Sequence, residues 1–225
     1  MMANNQKEIA SYPFYIVDMD GTLYYKRPMQ IQMAMKLVGY YGLHIHRLPE
    51  LMALKAYRKL RDREELADKD DRETWILQVL ADKYHLSVER TQKVITDWIM
   101  NRPLKTLFAC RDKQLLDFLQ MRKAQGARVF IYSDYPAEDK CEALQLQVDG
   151  VYWPDGECIM VLKPEAQGLE YILRCNDLDR SQVLFIGDRA EKDGACAEQM
   201  GVDYMILKKS RRARRKQYAA ILERK

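Results

Sequence analysis

The residues best suited to chemistry follow a short apolar run near the start of the chain. Residues 14–17 read Phe-Tyr-Ile-Val and are followed by Asp18, Asp20, Gly21 and Thr22. Such a run is typical of a strand buried on both faces. Two carboxylates this close repel each other unless a cation lies between them. Since ligands bind at the carboxyl ends of strands in an open α/β sheet, the stretch predicts a site for a metal ion and an anion. An acidic turn is the alternative, because Asp and Gly are common turn residues.

Two further positions could contribute to the same site. Ser133 follows the apolar run 129–132 and offers a hydroxyl, together with the backbone N–H of Asp134. Lys163 precedes Pro164 at a predicted helix start, where a cation is unusual beside the positive end of the helix dipole. A turn serine and a surface lysine are the structural alternatives for these two residues.

A second acidic stretch lies near the end of the chain. Asp188 follows the apolar run 184–186 and Gly187, and Asp193 comes five residues later. Carboxylate oxygens are hard ligands that suit Mg²⁺, and a second acid can orient the first. This spacing predicts a metal-ligating role for Asp188.

The elements that must position these residues fall into two groups. Periodic apolar residues predict four amphipathic helices, which is typical of a small helical bundle, and we expect Pro103 to end that bundle. The helices are predicted at 28–41, 48–66, 71–85 and 87–101. Beyond Pro103, helices are predicted at 111–125, 136–146 and 163–175, after Asp188 and in the basic C-terminal stretch, with strands at 128–132, 148–152, 182–186 and 204–207.

Strands that alternate with helices predict a parallel, doubly wound sheet. We therefore expect an α/β protein with a flavodoxin- or Rossmann-like core, formed by residues 1–24 and 104–225. A four-helix domain, residues 25–103, is inserted after the first strand and is expected to be joined to the core by a hinge.

Composition predicts an ordinary globular protein. Of the 225 residues, 48% are apolar and 31% are charged, with a net charge of +4. Residues 208–225 contain nine basic residues and one acidic residue, so the rest of the chain carries a net charge of −4. Five scattered cysteines favour reduced thiols in a cytoplasmic protein. No apolar run is long enough for a transmembrane segment.

The four polar stretches together resemble the haloacid dehalogenase superfamily of hydrolases. Its first motif matches residues 18–22, Asp-Met-Asp-Gly-Thr, and its second and third match Ser133 and Lys163. Its fourth matches Gly187-Asp188 with Asp193. The resemblance covers about residues 14–207, and the helical insertion resembles the type 1 cap of that superfamily.

The resemblance implies a nucleophile, an acid and a metal ion. Asp18 would attack phosphorus to form an aspartyl phosphate. Asp20 would protonate the leaving oxygen and later take a proton from water. The carboxylate of Asp18, the backbone carbonyl of Asp20 and the carboxylate of Asp188 would hold Mg²⁺.

The resemblance also implies a phosphate cradle. Ser133, the backbone N–H groups near it, including that of Asp134, and Lys163 would stabilise the phosphoryl oxygens. Asp193 would support the metal site. The second-motif loop departs from the common pattern, because Asp134 adds a carboxylate near the phosphate, and Arg189 could offset it.

An acid at position 20 favours phosphomonoester hydrolysis of a small metabolite. Superfamily members that cleave carbon–halogen bonds or phosphonates usually lack this residue. Sugar-phosphate mutases keep it, so a mutase is one alternative. Another is a non-catalytic phosphate-binding protein whose basic run, residues 208–216, binds nucleic acid or an anionic surface; a solvated terminal helix is the simpler interpretation of that run.

Overall fold

The computed structural model describes residues 8–61 and 72–221 of the chain. Its centre is a five-stranded sheet in the order β3-β2-β1-β4-β5, and every pair of neighbours is parallel. The strands are β1 (Phe14–Val17), β2 (Arg128–Tyr132), β3 (Gly150–Tyr152), β4 (Val183–Gly187) and β5 (Asp203–Ile206). This topology confirms the predicted α/β class with a Rossmann-like sheet.

The register of the central strands aligns the predicted site residues. Val17 pairs with Ile131 on one side and with Ile186 on the other. The carboxyl ends of these three strands therefore lie at the same edge of the sheet. Asp18 comes directly after β1, and its N–H donates to the carbonyl of Ile186 at 2.9 Å, which extends the strand pairing into the site.

Five helices accompany the sheet in the described part of the chain. They are α6 (Lys113–Ala124), α7 (Glu138–Ala143), α8 (Gln167–Cys175), α9 (Ala195–Met200) and α10 (Arg211–Ile221), and a π-helical turn at Ala190–Gly194 precedes α9. The side chains of β1, β2 and β4 pack with Leu169 and Ile172 of α8 in a fully buried core. Burial of this apolar surface is the main stabilising contribution to the sheet.

Some helix boundaries differ from the predicted ones. The helix expected from Lys163 begins only at Gln167, because a proline disfavours helical backbone at the residue before it. Lys163 therefore lies in the connection between β3 and α8. The helix expected at 136–146 is shorter, Glu138–Ala143.

The insertion between β1 and β2 is helical. Its elements are α1 (Lys26–Leu43), α2 (Leu48–Arg61), α3 (Arg72–Tyr84), α4 (Val88–Ile95), a π-helical segment at Thr96–Asn101 and α5 (Arg102–Leu107). Met33, Tyr57, Ile76 and Trp98 are among the side chains that form its own core. The predicted residues 62–66 of the second helix, and residue 71 of the third, lie outside the described residues.

The prediction that Pro103 ends the helical bundle is wrong. Helix α5 runs from Arg102 through Pro103 to Leu107. Helix α4, the π-helical segment and α5 follow one another without a gap, so Pro103 lies inside a continuous helical stretch. Proline has no backbone N–H to donate, and the α-helical hydrogen-bond pattern is already changed in the π-helical segment just before it.

The chain divides into two compact units. One consists of Met1–Arg27 with Leu107–Lys225, and the other of Pro28–Thr106. We call them the α/β unit and the helical unit. Among the described helices, none is both long enough and apolar enough to cross a lipid bilayer.

Candidate active site at the carboxyl edge of the sheet

Asp18 is the buried centre of the candidate site, with 1% of its surface exposed. Its Oδ1 accepts a hydrogen bond from Lys163 Nζ at 2.7 Å, and its Oδ2 accepts one from the Thr22 hydroxyl at 2.8 Å. Burial raises the pKa of Asp18, and the nearby Asp193 adds to this effect while Lys163 opposes it. The two hydrogen bonds fix the orientation of the carboxylate.

Lys163 joins two carboxylates at the edge of the sheet. Its ammonium donates to Asp18 and to Asp193 Oδ1 at 2.7 Å each, and to the carbonyl of Tyr132 at 3.2 Å. Burial alone would lower the pKa of Lys163, but the two carboxylates outweigh it and raise the pKa. A buried ammonium with three oxygen partners remains charged, so it is a fixed positive charge beside Asp18.

Three carboxylates lie close enough to share one cation. Asp18, Asp188 and Asp193 each offer an oxygen, and these oxygens lie within 4.8 Å of one another. Burial raises the pKa of Asp188. Its Oδ1 is buried without a hydrogen-bond partner among the described residues, and the nearest guanidinium nitrogen, Arg189 Nε, is 3.9 Å away, too far for a hydrogen bond. A buried, unpaired carboxylate oxygen fits a hard divalent cation.

Asp193 differs from Asp188 because both of its oxygens already have partners. Oδ1 accepts from Lys163, and Oδ2 accepts from the backbone N–H groups of Asp188 and Arg189 at 3.1 Å each. Asp193 therefore holds the turn that carries Asp188. A methyl group on Gly187 would collide with the Asp193 side chain, which explains why glycine occupies the end of β4.

The backbone at Gly21 brings the first motif close to Asp188. Gly21 has a φ of +97°. Residues with a Cβ atom disfavour this backbone conformation. A methyl group at this position would also collide with Asp188 Oδ2. Gly21 thus allows the loop after β1 to approach the carboxylate of Asp188.

Asp20 lies near Asp18 in sequence but in a different electrostatic environment. Lys140 of α7 donates to both of its oxygens at 2.8 Å, and the Tyr24 hydroxyl also donates to Oδ1. Burial alone would raise the pKa of Asp20, but the Lys140 ammonium outweighs it and lowers the pKa. Asp20 is therefore ionised at neutral pH, and Lys140 is its main partner.

The loop after β2 places Ser133 and Asp134 at the same edge of the sheet. Ser133 is fully buried, and its Oγ accepts from the N–H of Tyr135 at 3.2 Å. Asp134 Oδ2 accepts from Arg189 at 3.0 Å and from Lys192 at 2.9 Å. Burial opposes ionisation of Asp134, but Lys163, Lys192 and Arg189 outweigh it and lower its pKa.

Sequence reasoning singled out neither Lys140, which pairs with Asp20, nor a positioning residue on α10. Arg214 of α10 is 1% exposed. Its guanidinium donates to the carbonyls of Gly21 and Thr22 at 2.8 Å each and to Asp112 Oδ2 at 2.9 Å. The interpretation of residues 208–216 as a purely solvated helix is therefore wrong at this position. Tyr218, one helical turn after Arg214, is buried as well.

Comparisons with known proteins relate this chain to hydrolases. The sequence model of the HAD-hydrolase-like family matches residues 161–221, which include Lys163, Asp188, Asp193 and Arg214. No curated protein sequence matches the chain significantly.

Solved structures share the fold at low sequence identity. A 2-haloacid dehalogenase from Pseudomonas syringae pv. tomato is 17% identical with a TM-score of 0.63, and the match covers 86% of this chain and 85% of that one. A Thermotoga maritima protein assigned as a β-phosphoglucomutase is 17% identical with a TM-score of 0.57, covering 88% and 86%. A Haemophilus somnus protein assigned as a phosphoglycolate phosphatase is 16% identical with a TM-score of 0.52, covering 90% and 88%. The resemblance predicted from the four motifs is confirmed.

Proposed function

We propose that this chain, whose residues 161–221 match the HAD-hydrolase-like family model, is a Mg²⁺-dependent phosphatase of small phosphomonoester metabolites. The observation that carries the proposal is the setting of Asp18. One of its oxygens is held by Lys163 and the other by Thr22, and an oxygen of Asp188 lies within 4.8 Å of its carboxylate. Such an arrangement suits a carboxylate that attacks an anion.

Asp18 is the proposed nucleophile. Its carboxylate attacks phosphorus, the ester oxygen leaves, and an aspartyl phosphate forms on Asp18. Water then attacks that phosphorus, which releases inorganic phosphate and restores the carboxylate. The hydrogen bonds from Lys163 and Thr22 fix its orientation and so reduce the entropy that the reaction must lose.

Asp20 is the proposed acid and base, and its pairing with Lys140 bears on both roles. As a base it acts in its resting, ionised form and takes a proton from the attacking water. As an acid it must first be protonated. A bound phosphate dianion favours the neutral carboxyl by charge repulsion, so substrate itself promotes the acidic form.

The charges of the phosphoryl group would be balanced by fixed cations and donors. We propose that Lys163, the Ser133 hydroxyl and the N–H of Asp134 contact its oxygens. Arg189 and Lys192 are held by Asp134 at 3.0 Å and 2.9 Å. Asp134 therefore orients two cations next to the proposed phosphate site, which supports a role for this unusual carboxylate in positioning.

The donor set at the site suits Mg²⁺. The carboxylates of Asp18 and Asp188 and the backbone carbonyl of Asp20 would hold the ion, and Asp193 would keep Asp188 in place. Bound there, Mg²⁺ would reduce repulsion between the nucleophile and the phosphate and polarise the phosphoryl oxygens.

We also propose a cytoplasmic location. The five cysteines are scattered along the sequence with no CxxC pair, a usage that suits reduced thiols in a reducing compartment.

Hydrolysis of an aryl phosphate by the purified full chain tests the proposed function. We expect turnover with Mg²⁺, loss of turnover with a chelator, and a loss of at least about a thousandfold in Asp18→Asn. Asp82→Asn, which changes an exposed carboxylate on α3, is the matched control and should keep full activity.

Either of two results would contradict the proposal. One is turnover that survives in Asp18→Asn. The other is a folded protein that neither binds Mg²⁺ nor hydrolyses any member of a panel of phosphorylated metabolites. Isomerisation of a sugar phosphate without release of inorganic phosphate would favour the mutase alternative.

A further inference from the structure

The α/β unit has a second concave site that contains none of the proposed catalytic residues. It is a cavity of about 420 Å³ between the first turn of α6 and the helix α10. This volume lies within the usual range for small-molecule sites. Tyr25 contributes an aromatic wall, so the lining of the cavity is only partly polar.

Four cationic side chains line the cavity, two from each side. Arg111 lies just before α6 and Lys113 is its first residue, whereas Arg211 and Arg215 come from successive turns of α10. Arg211 and Arg215 are exposed. Cations three or four residues apart on one helix repel each other weakly, and an anion between the two walls would relieve that repulsion.

The acidic groups in the lining do not neutralise these cations. Asp112 is buried and accepts hydrogen bonds from Arg214 and from the Tyr218 hydroxyl at 2.9 Å each. Asp117 is paired with Lys113, but the side chains of both are more than half exposed, so their pairing is weak. The cavity therefore keeps an excess of positive charge.

We propose that this cavity binds a small, multiply charged anion of the di- or triphosphate class. Arginine side chains suit phosphate because the guanidinium offers several donors in one plane. Two cations on each wall match an anion with at least two phosphate groups. A concave site of this size favours a small molecule over a linear polyanion, which would need an extended cationic track.

Calorimetric binding of pyrophosphate to the full chain, in the presence of a chelator, tests the proposal. Two charge-matched double variants on the same helix are compared. Arg211→Gln with Arg215→Gln removes the cavity cations, whereas Arg212→Gln with Lys216→Gln removes two exposed cations that do not line the cavity. We expect the first to weaken binding about tenfold or more and the second to change it less than twofold.

A variant on the opposite wall shows whether weaker binding comes from the lost charge or from a folding defect of α10. Arg111→Gln should weaken pyrophosphate binding as well, with the thermal melting temperature measured for every variant. The proposal is overturned if pyrophosphate does not bind, or if the two double variants lose affinity equally. It is also overturned if a single-stranded oligonucleotide binds tightly while pyrophosphate does not, because the cations would then form an extended surface.

Discussion

Two buried cations contact the loop from Asp18 to Thr22, and they contact different parts of it. Lys163, 2% exposed, donates to the carboxylate of Asp18. Arg214, 1% exposed, donates to the backbone carbonyls of Gly21 and Thr22. The first cation lies in the connection before α8 and the second on α10.

The difference separates a reactive role from a structural one. The partners of Lys163 include two carboxylates of the three-carboxylate cluster, Asp18 and Asp193, so its charge acts on the groups that we propose react or support the metal. The partners of Arg214 are backbone carbonyls and Asp112. Its charge holds the shape of the loop. Substituting the two residues should therefore change different measurements.

The largest expected effect is on activity, in Lys163→Met. Methionine has a similar length but no charge, so Asp18 loses the cation at 2.7 Å and, on the proposed function, the phosphoryl group loses one as well. We expect kcat/KM for the aryl phosphate to fall about a thousandfold or more. Near-normal turnover in this variant would exclude a catalytic role for Lys163.

The next effect is on stability, in Arg214→Met. The substitution leaves the buried Asp112 without its cation and two loop carbonyls without their donor. We expect the free energy of unfolding to fall by about 3–5 kcal/mol, as is common when one partner of a buried ion pair is removed. Urea denaturation measures it, and Arg212→Met, an exposed change on the same helix, should stay within about 0.5 kcal/mol. An equally small loss in Arg214→Met would show that Arg214 does not hold the loop.

The sequence alone predicted the parts of this comparison that depend on local pattern. The apolar runs of β1, β2 and β4 and the acids after β1 and β4 were visible in the spacing. Lys163 was found through its resemblance to a motif. These features are local because a strand and its carboxyl end are adjacent in sequence.

The remaining contacts join distant parts of the chain. Arg214 meets Thr22 across 192 positions, and Lys140 meets Asp20 across 120. Within residues 208–216 nothing distinguishes Arg214 from neighbouring arginines until the packing of α10 is known. The continuation of the helix through Pro103 was also missed, since a proline in sequence usually marks a helix boundary.

A third variant tests Lys140, the partly exposed cation that pairs with Asp20 in the same loop. In Lys140→Met, Asp20 keeps only the Tyr24 hydroxyl among its side-chain partners in the described residues. On the proposed function, we expect kcat to fall about tenfold with KM nearly unchanged, because Lys140 positions the acid rather than binding substrate. Lys140→Arg should restore part of the loss. An equal loss in both variants, or a change in KM alone, would contradict this positioning role.

The smallest effect is expected from a partly exposed ion pair. It gives a reference value against which the stability loss at the buried Arg214 can be compared. Lys123 contacts Asp149 at 2.5 Å, and both side chains are about one quarter exposed. Partial burial alone would raise the pKa of Asp149, but Lys123 and the N–H of Val129 outweigh it and lower the pKa. In Lys123→Met we expect the free energy of unfolding at pH 7 to fall by about 0.5–1 kcal/mol.

The pH dependence of that loss follows from the lowered pKa of Asp149. Its stabilising contribution is fully present above the ordinary carboxyl pKa of about 4 and is lost as the pH falls through the lower folded value. The difference between wild type and Lys123→Met, measured by urea denaturation, should therefore shrink as the pH falls below about 4, down to the lowest pH at which both proteins stay folded. A difference that stays constant down to that pH would mean that Lys123 stabilises the fold through the packing of its aliphatic stem rather than through its charge.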